Sequence, residues 1–279
     1  MEPRSRSFYL LAGFFALFLL FLYAPTITIA ILSFQGEGGG LTFPMRGVST
    51  YWFRDLFEQQ AVGDIWGSFR RSIVLGLMVM VTTVVVSVMG GLAFRKRFKG
   101  ATVLFYLIIT ALVIPSILVS LGVGLLFSQS GLNVHWSTSG FGAQLTWTLP
   151  FGLLIMFAVF NRFDKSYEEA ARDLGASPWQ TLRHVVLPII APSLIGVALF
   201  GFTLSYDEFA RTLMVSGSYN TLPLEIYGMT TNVTSPVLYA LGTLTTVFSL
   251  AIIGVFLSIA LLSNRRKSRA GSDAGKGLV

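Results

Sequence analysis

Cysteine is absent from this 279-residue chain, which excludes disulfides, thiolate chemistry and cysteine-ligated metals. Histidine is almost absent: His135 and His184 lie far apart in sequence, so a histidine-based metal site has no support and no metal ligand set is expected. Charge is scarce as well. Asp, Glu, Lys and Arg make up 12% of the residues, against roughly 25% in an average soluble protein. With 53% hydrophobic residues, the chain has too little polar surface to face water on all sides and requires lipid as part of its solvent.

A nucleotide-binding P-loop is missing too. Such a loop needs G-x-x-x-x-G-K-[ST] after a strand. The nearest string, Gly271-Ser272-Asp273-Ala274-Gly275-Lys276-Gly277, is one residue short, ends in glycine instead of a hydroxyl, and lies in a polar tail that reads as disordered. The chain is therefore not expected to hydrolyse ATP, and no catalytic residue or resident cofactor is assigned to it.

What is present in abundance is long apolar runs. A helix crosses a bilayer in roughly 20 residues. Six runs qualify: Phe8 to Phe34 with Pro25 inside, Ser72 to Phe94, Ala101 to Phe127 with Pro115 near its middle, Gly142 to Phe160, Ile189 to Leu204, and Leu238 to Leu262. The first is too long for a cleaved signal peptide and has no small-x-small site behind it, so it reads as a retained span. The expected class is an all-α integral membrane protein with six transmembrane helices in a single domain over 1–264, followed by a basic tail over 265–279. No internal repeat is visible.

The net charge is +7, but the basic residues sit in short runs between apolar stretches. That is a topology pattern and not a nucleic-acid surface. Fifteen of the 20 fall in one set of segments, among them Arg95-Lys96-Arg97 with Lys99, then Arg162, Lys165, Arg172 and Arg183, and the tail. By the positive-inside rule that set is cytoplasmic, as are both termini. The other set contains a glycine-rich turn at Gly36–Gly40 and an aromatic, charged stretch at Tyr51–Phe57 that suits a short helix at the membrane surface.

The informative segment is the cytoplasmic loop over 162–188. Ser166 with Glu169 reads as a capping box opening one short helix. Gly175 sits where the helix end needs a left-handed residue. Ser177 with Gln180 reads as a second capping box, with Pro178 at the favoured first position, and the second helix is expected to break at Pro188. Two short helices joined by a tight turn would suit a docking element; a solvated hairpin with no partner fits the capping equally well.

The spacing adds to this. Glu169-Ala170-Ala171, three residues, Gly175, nine residues, then Val185-Val186-Leu187-Pro188 resembles the EAA signature of ABC importer permeases, with valine at the position where isoleucine is usual. The resemblance implies the type I importer permease fold with a conserved core over about 72–262, and a coupling loop that seats in an ATPase subunit. Glu168, Glu169, Ala170, Ala171, Asp173, Gly175, Leu187 and Pro188 would be the coupling residues. It also implies the partners: a second permease subunit (a different chain being favoured), two ATPase subunits that bind the ATP and Mg, and a periplasmic solute-binding protein, all at a bacterial inner membrane.

A broader likeness covers Ser205-Tyr206-Asp207-Glu208-Phe209, Asn220 to Tyr227 and Ser235-Pro236, which is similar to the spermidine/putrescine permease group, whose relatives also handle opines and phosphonates. Adjacent carboxylates beside a membrane helix often mark a solute path. Asp207 and Glu208 would attract a cation, and Tyr206 would add a cation–π face. The competing reading is a polar helix end paired with Arg211. A stand-alone secondary transporter or channel is the alternative at the level of function; neither a broken-helix repeat nor a charge relay speaks for it.

Overall fold

The computed structural model describes residues 6–58, 63–232 and 235–274. Among these residues it is all-helical apart from one isolated bridge between Gln35 and Val48. Five helices are long and apolar enough to span a membrane, and six if one bent pair counts as a single span. The chain divides into two compact units, Met1–Gly63 with Ile226–Leu250, and Asp64–Glu225 with Ala251–Val279.

The first unit begins with α1 (Arg6–Leu32), an apolar helix that keeps Pro25 inside it. Gln35 organises the glycine-rich turn that follows. Its buried amide donates to the Gly40 carbonyl at 3.2 Å and accepts from the Arg46 N–H at 2.7 Å. The short helix α2 (Tyr51–Glu58) buries Trp52 and Leu56.

The second unit holds the site. Its spine is α3 (Ile65–Phe94), which starts seven residues earlier than the hydropathy alone suggests because Asp64 caps it: the Asp64 carboxylate accepts from the Gly67 N–H at 3.0 Å and pairs with Arg71 at 2.8 Å. One side of α3 is a stripe of small and hydroxyl residues that includes Ser72, Gly76, Thr83, Ser87 and Gly91, all buried. Lipid gives two apolar helices no hydrophobic reason to associate, so close packing between small residues and interhelical hydrogen bonds hold them. Accordingly α3 packs on α6 (Phe141–Asn161) and on α9 (Leu187–Tyr206). Thr83 donates to Thr148 at 3.1 Å across the α3–α6 contact. A side chain at Gly152 would collide with Ser87 and Thr83, so glycine there allows the approach. Met156, Phe160, Val186, Ile190 and Val197 form the apolar core at the other end.

Four expectations need correction. The run Ala101 to Phe127 is not one straight helix but α4 (Ala101–Val113) and α5 (Ser116–Gln129), bent by 107° at Ile114-Pro115. Proline has no N–H to donate and pushes the preceding residue out of helical geometry, and Ile114 is extended at φ −68°, ψ 127°. The helix does not break at Pro188. A π-helical turn over Leu182–Val186 leads directly into α9, the Leu187 N–H bonding back to the Leu182 carbonyl, and Pro188 sits in the first turn of α9, where its missing N–H is tolerated. The first capping box does not form, as described below. Lastly, α11 (Val237–Ala274) continues past Leu262, so the polar string read as disordered is helical as far as Ala274, and residues 275–279 lie outside the described set. Between α9 and α11 lies α10 (Leu222–Asn232).

Candidate functional site: the α7–α8 hairpin

The loop over 162–188 folds as a helical hairpin of α7 (Ser166–Asp173) and α8 (Pro178–Thr181). Asp164 starts α7, its carboxylate accepting from the Ser166 N–H at 2.9 Å. That is why the Ser166–Glu169 box is unused: an aspartate two residues upstream already satisfies the helix end. Those bonds, from the Ser166 backbone first and its hydroxyl second, hold the exposed Asp164 carboxyl below the ordinary carboxylate range.

The turn is a Schellman motif. Gly175 has φ +81°, its N–H bonds to the Arg172 carbonyl at 2.8 Å, and the Ala176 N–H bonds to the Ala171 carbonyl at 3.0 Å. Ser177 and Gln180 then form the complete capping box, with contacts of 3.3 and 2.8 Å, and Pro178 follows at the first helical position. The hairpin is thus fixed at every backbone end by its own sequence.

The two glutamates of α7 have opposite environments. Glu168 turns inward and accepts from the two terminal nitrogens of the Arg95 guanidinium, at 2.6 and 3.1 Å. Arg95 is the residue that closes α3, and its guanidinium lies over the rings of Phe160 and Phe163, 5.4 and 5.3 Å from their centroids. Glu169 turns out and is exposed, as are Ala170, Asp173 and Gly175, with Ala171 half-buried. Tyr167, Leu174 and Trp179 are exposed apolar side chains on the same hairpin, Leu174 at 89%. Pro188 is exposed and Leu187 half-buried where the hairpin joins α9. A cavity of about 570 Å³ separates the hairpin from the end of α3, lined by Arg95, Lys96, Lys165, Glu168, Arg172 and Leu182 among others.

Sequence reasoning missed Arg95 as a partner of this loop. It sits in the Arg95-Lys96-Arg97 run, where every cation reads equally as a topology signal; Lys96 and Arg97 are indeed exposed. The one hint is the doubled glutamate, of which the EAA pattern uses a single member.

At the far end of α9, Tyr206 is buried, stacked on Phe202 with centroids 5.8 Å apart. Asp207 closes the helix and is exposed. Glu208 is buried and accepts from the Arg211 backbone N–H at 2.8 Å, with the Arg211 guanidinium 3.7 Å from its other oxygen. That guanidinium also donates to Ser116 at 2.7 Å, at the start of α5, and lies 4.6 Å over the Trp147 ring. Ser205 bonds to Gln144 on α6. The adjacent carboxylates are therefore unlike each other: Glu208 is buried beside the Arg211 cation, and Asp207 is exposed with no ion pair among the described residues.

Residues 84–269 match the family described as the binding-protein-dependent transport system inner membrane component, two thirds of the chain and the whole hairpin. The chain belongs to this family. Its members are non-catalytic permease subunits, the ATPase being a separate subunit. Among curated relatives, the spermidine/putrescine transport system permease protein PotC of Haemophilus influenzae is 29% identical over 88% of this chain and 94% of its own length. The putrescine transport system permease protein PotI of Escherichia coli K12 is 28% identical over 89% of each. Among solved structures, a permease chain of a bacterial ABC transporter that imports the acidic polysaccharide alginate shares the fold at a TM-score of 0.67, covering 95% of this chain and 99% of its own at 20% identity. The inward-facing methionine ABC transporter MetNI gives 0.53 over 71% of this chain and 94% of its own. This permease is thus an inner-membrane component of an ABC importer, as the EAA spacing implies, and the stand-alone transporter reading falls away.

Proposed function

We propose that this permease couples to a cytoplasmic ATPase through the α7–α8 hairpin and carries a small polyamine-like cation handed over by a periplasmic binding protein. The observation that carries the coupling reading is the hairpin's outer face. A leucine at 89% exposure, flanked by exposed Tyr167 and Trp179, on a turn fixed at every cap, is the surface of a rigid knob that a partner groove covers. Glu169 and Asp173 add outward charge to that knob for a basic partner surface. The ATP and Mg belong to the ATPase pair. The remaining partner is a second permease chain of different sequence, and the cations beside the hairpin support cytoplasmic termini by the positive-inside rule.

The polyamine reading rests on the names of the relatives and on Asp207, the exposed carboxylate at the end of α9 that forms no ion pair among the described residues. In this reading Asp207 meets the ammonium groups, Tyr206 is a fixed part of the wall, and Glu208 is held as the counter-ion of Arg211. Cells making the complete system are tested for uptake of radiolabelled spermidine and putrescine. Uptake that weakens in Asp207→Asn supports the assignment. Unchanged kinetics remove Asp207 from the path, and a system that carries an opine or a phosphonate instead overturns the polyamine reading.

A further inference from the structure

Glu168 and Glu169 are both expected among the coupling residues, but only Glu169 faces outward to meet a partner. The inward turn of Glu168 gives it a different role. Arg95 closes α3, and α3 is the helix whose small-residue stripe holds α6 and α9 together. The Arg95 guanidinium is wedged over Phe160 at the end of α6 and Phe163 just beyond it, while its two terminal nitrogens donate to Glu168 on α7. One side chain therefore ties the hairpin to two helices of the packed core. Both members of the pair are mostly buried, with side-chain exposures of 15% and 13%, so solvent screens them less than a surface pair. A two-point fork also resists rotation, which a lysine's single point charge does not.

We propose that Arg95 is a positioning residue of the coupling machinery: its forked pair with Glu168 makes the hairpin and α3 move as one body, so that a push on α7 is delivered to the core. The proposal rests on the docking role given to the hairpin above. A plain topology role for Arg95 would require only its charge, whereas this role requires the fork and the acid together.

The test uses the absence of native cysteine. Spin labels on Lys99→Cys, just beyond α3, and Ser166→Cys, at the exposed start of α7 away from the docking knob, report one distance in the complete complex in nanodiscs. The probe is ATP, absent or trapped with vanadate. The expected wild-type result is one narrow distance distribution that does not shift on trapping. Glu168→Gln and Arg95→Gln are expected to broaden it and to let trapped nucleotide shift it. Arg95→Lys, which keeps the charge and the fold, should broaden it less, and the charge swap Arg95→Glu with Glu168→Arg should narrow it again. Unchanged distributions in the Gln and Lys variants would overturn the proposal, as would a wild-type distance that itself shifts on trapping. The docking role is read separately by Leu174→Glu: an ATPase that still copurifies with that variant refutes the docking surface, while the label distances judge the Arg95–Glu168 link.

Discussion

Gly175→Ala isolates what the turn contributes. The residue has φ +81°, and a Cβ built there would meet nothing within 4 Å, so the substitution adds no clash and its whole effect is conformational. A non-glycine residue in the left-handed region costs about 1–2 kcal/mol. The eight residues of α7 are fewer than an isolated helix needs to persist in water, so the Schellman turn and caps decide how much of the hairpin is formed. If docking takes the formed hairpin, the apparent affinity falls with the formed fraction, up to about 5- to 30-fold for that cost. The assay is titration of the purified ATPase onto the permease in nanodiscs. Gly175→Asn is the internal control, because asparagine tolerates this conformation, and it should retain most of the affinity. Equal affinity for the Ala variant and wild type, or an Asn variant weaker than Ala, would show that the left-handed turn does not limit docking.

Other consequences are open to direct measurement. Gly152→Ala should destabilise the α3–α6 contact by about 1–3 kcal/mol, read as a lower melting temperature in detergent, and Ser87→Ala should recover part of the loss by removing the atom nearest the new methyl. Arg211→Ala leaves the Glu208 carboxylate buried without its cation and should cost about 3–5 kcal/mol, with Arg211→Ala/Glu208→Ala less harmful than the single change in the same unfolding assay. Because the Asp164 value is depressed in the folded hairpin, its contribution is complete above the ordinary carboxylate value of 3.8 and lost as pH falls through the lower folded value. Docking should therefore show no Asp164-dependent change between about pH 5 and pH 8, and Asp164→Asn, which keeps the cap, should dock better than Asp164→Ala.

The hairpin was legible from its residues because each end carries its own chemical signal: glycine for the left-handed turn, and Ser177, Pro178 and Gln180 for the second start. The failures arose where a long-range or neighbouring group overrode a local pattern. Asp164 took the capping position from Ser166. Pro188 ends a helix only if the helix has nowhere to absorb it, and the wide turn over Leu182–Val186 supplies that room. Hydropathy finds the apolar length of residues 101–127 but is blind to the direction change at Pro115. At the end of α9 the sequence shows two adjacent carboxylates, and only the fold separates Glu208, held by Arg211, from the open Asp207. Arg95 was hidden for a similar reason, since a cation at the end of a span looks the same whether it faces water or a buried glutamate.

If this chain is the membrane half of an ATP-driven machine engaged through the α7–α8 hairpin, its partners should travel with it. Affinity purification of the tagged permease in mild detergent, with mass spectrometry of what accompanies it, tests that most directly. An ATPase and a second, different permease are expected in fixed stoichiometry, with the ATPase lost from the Leu174→Glu variant. A chain that purifies alone and moves solute into proteoliposomes without ATP would contradict that role.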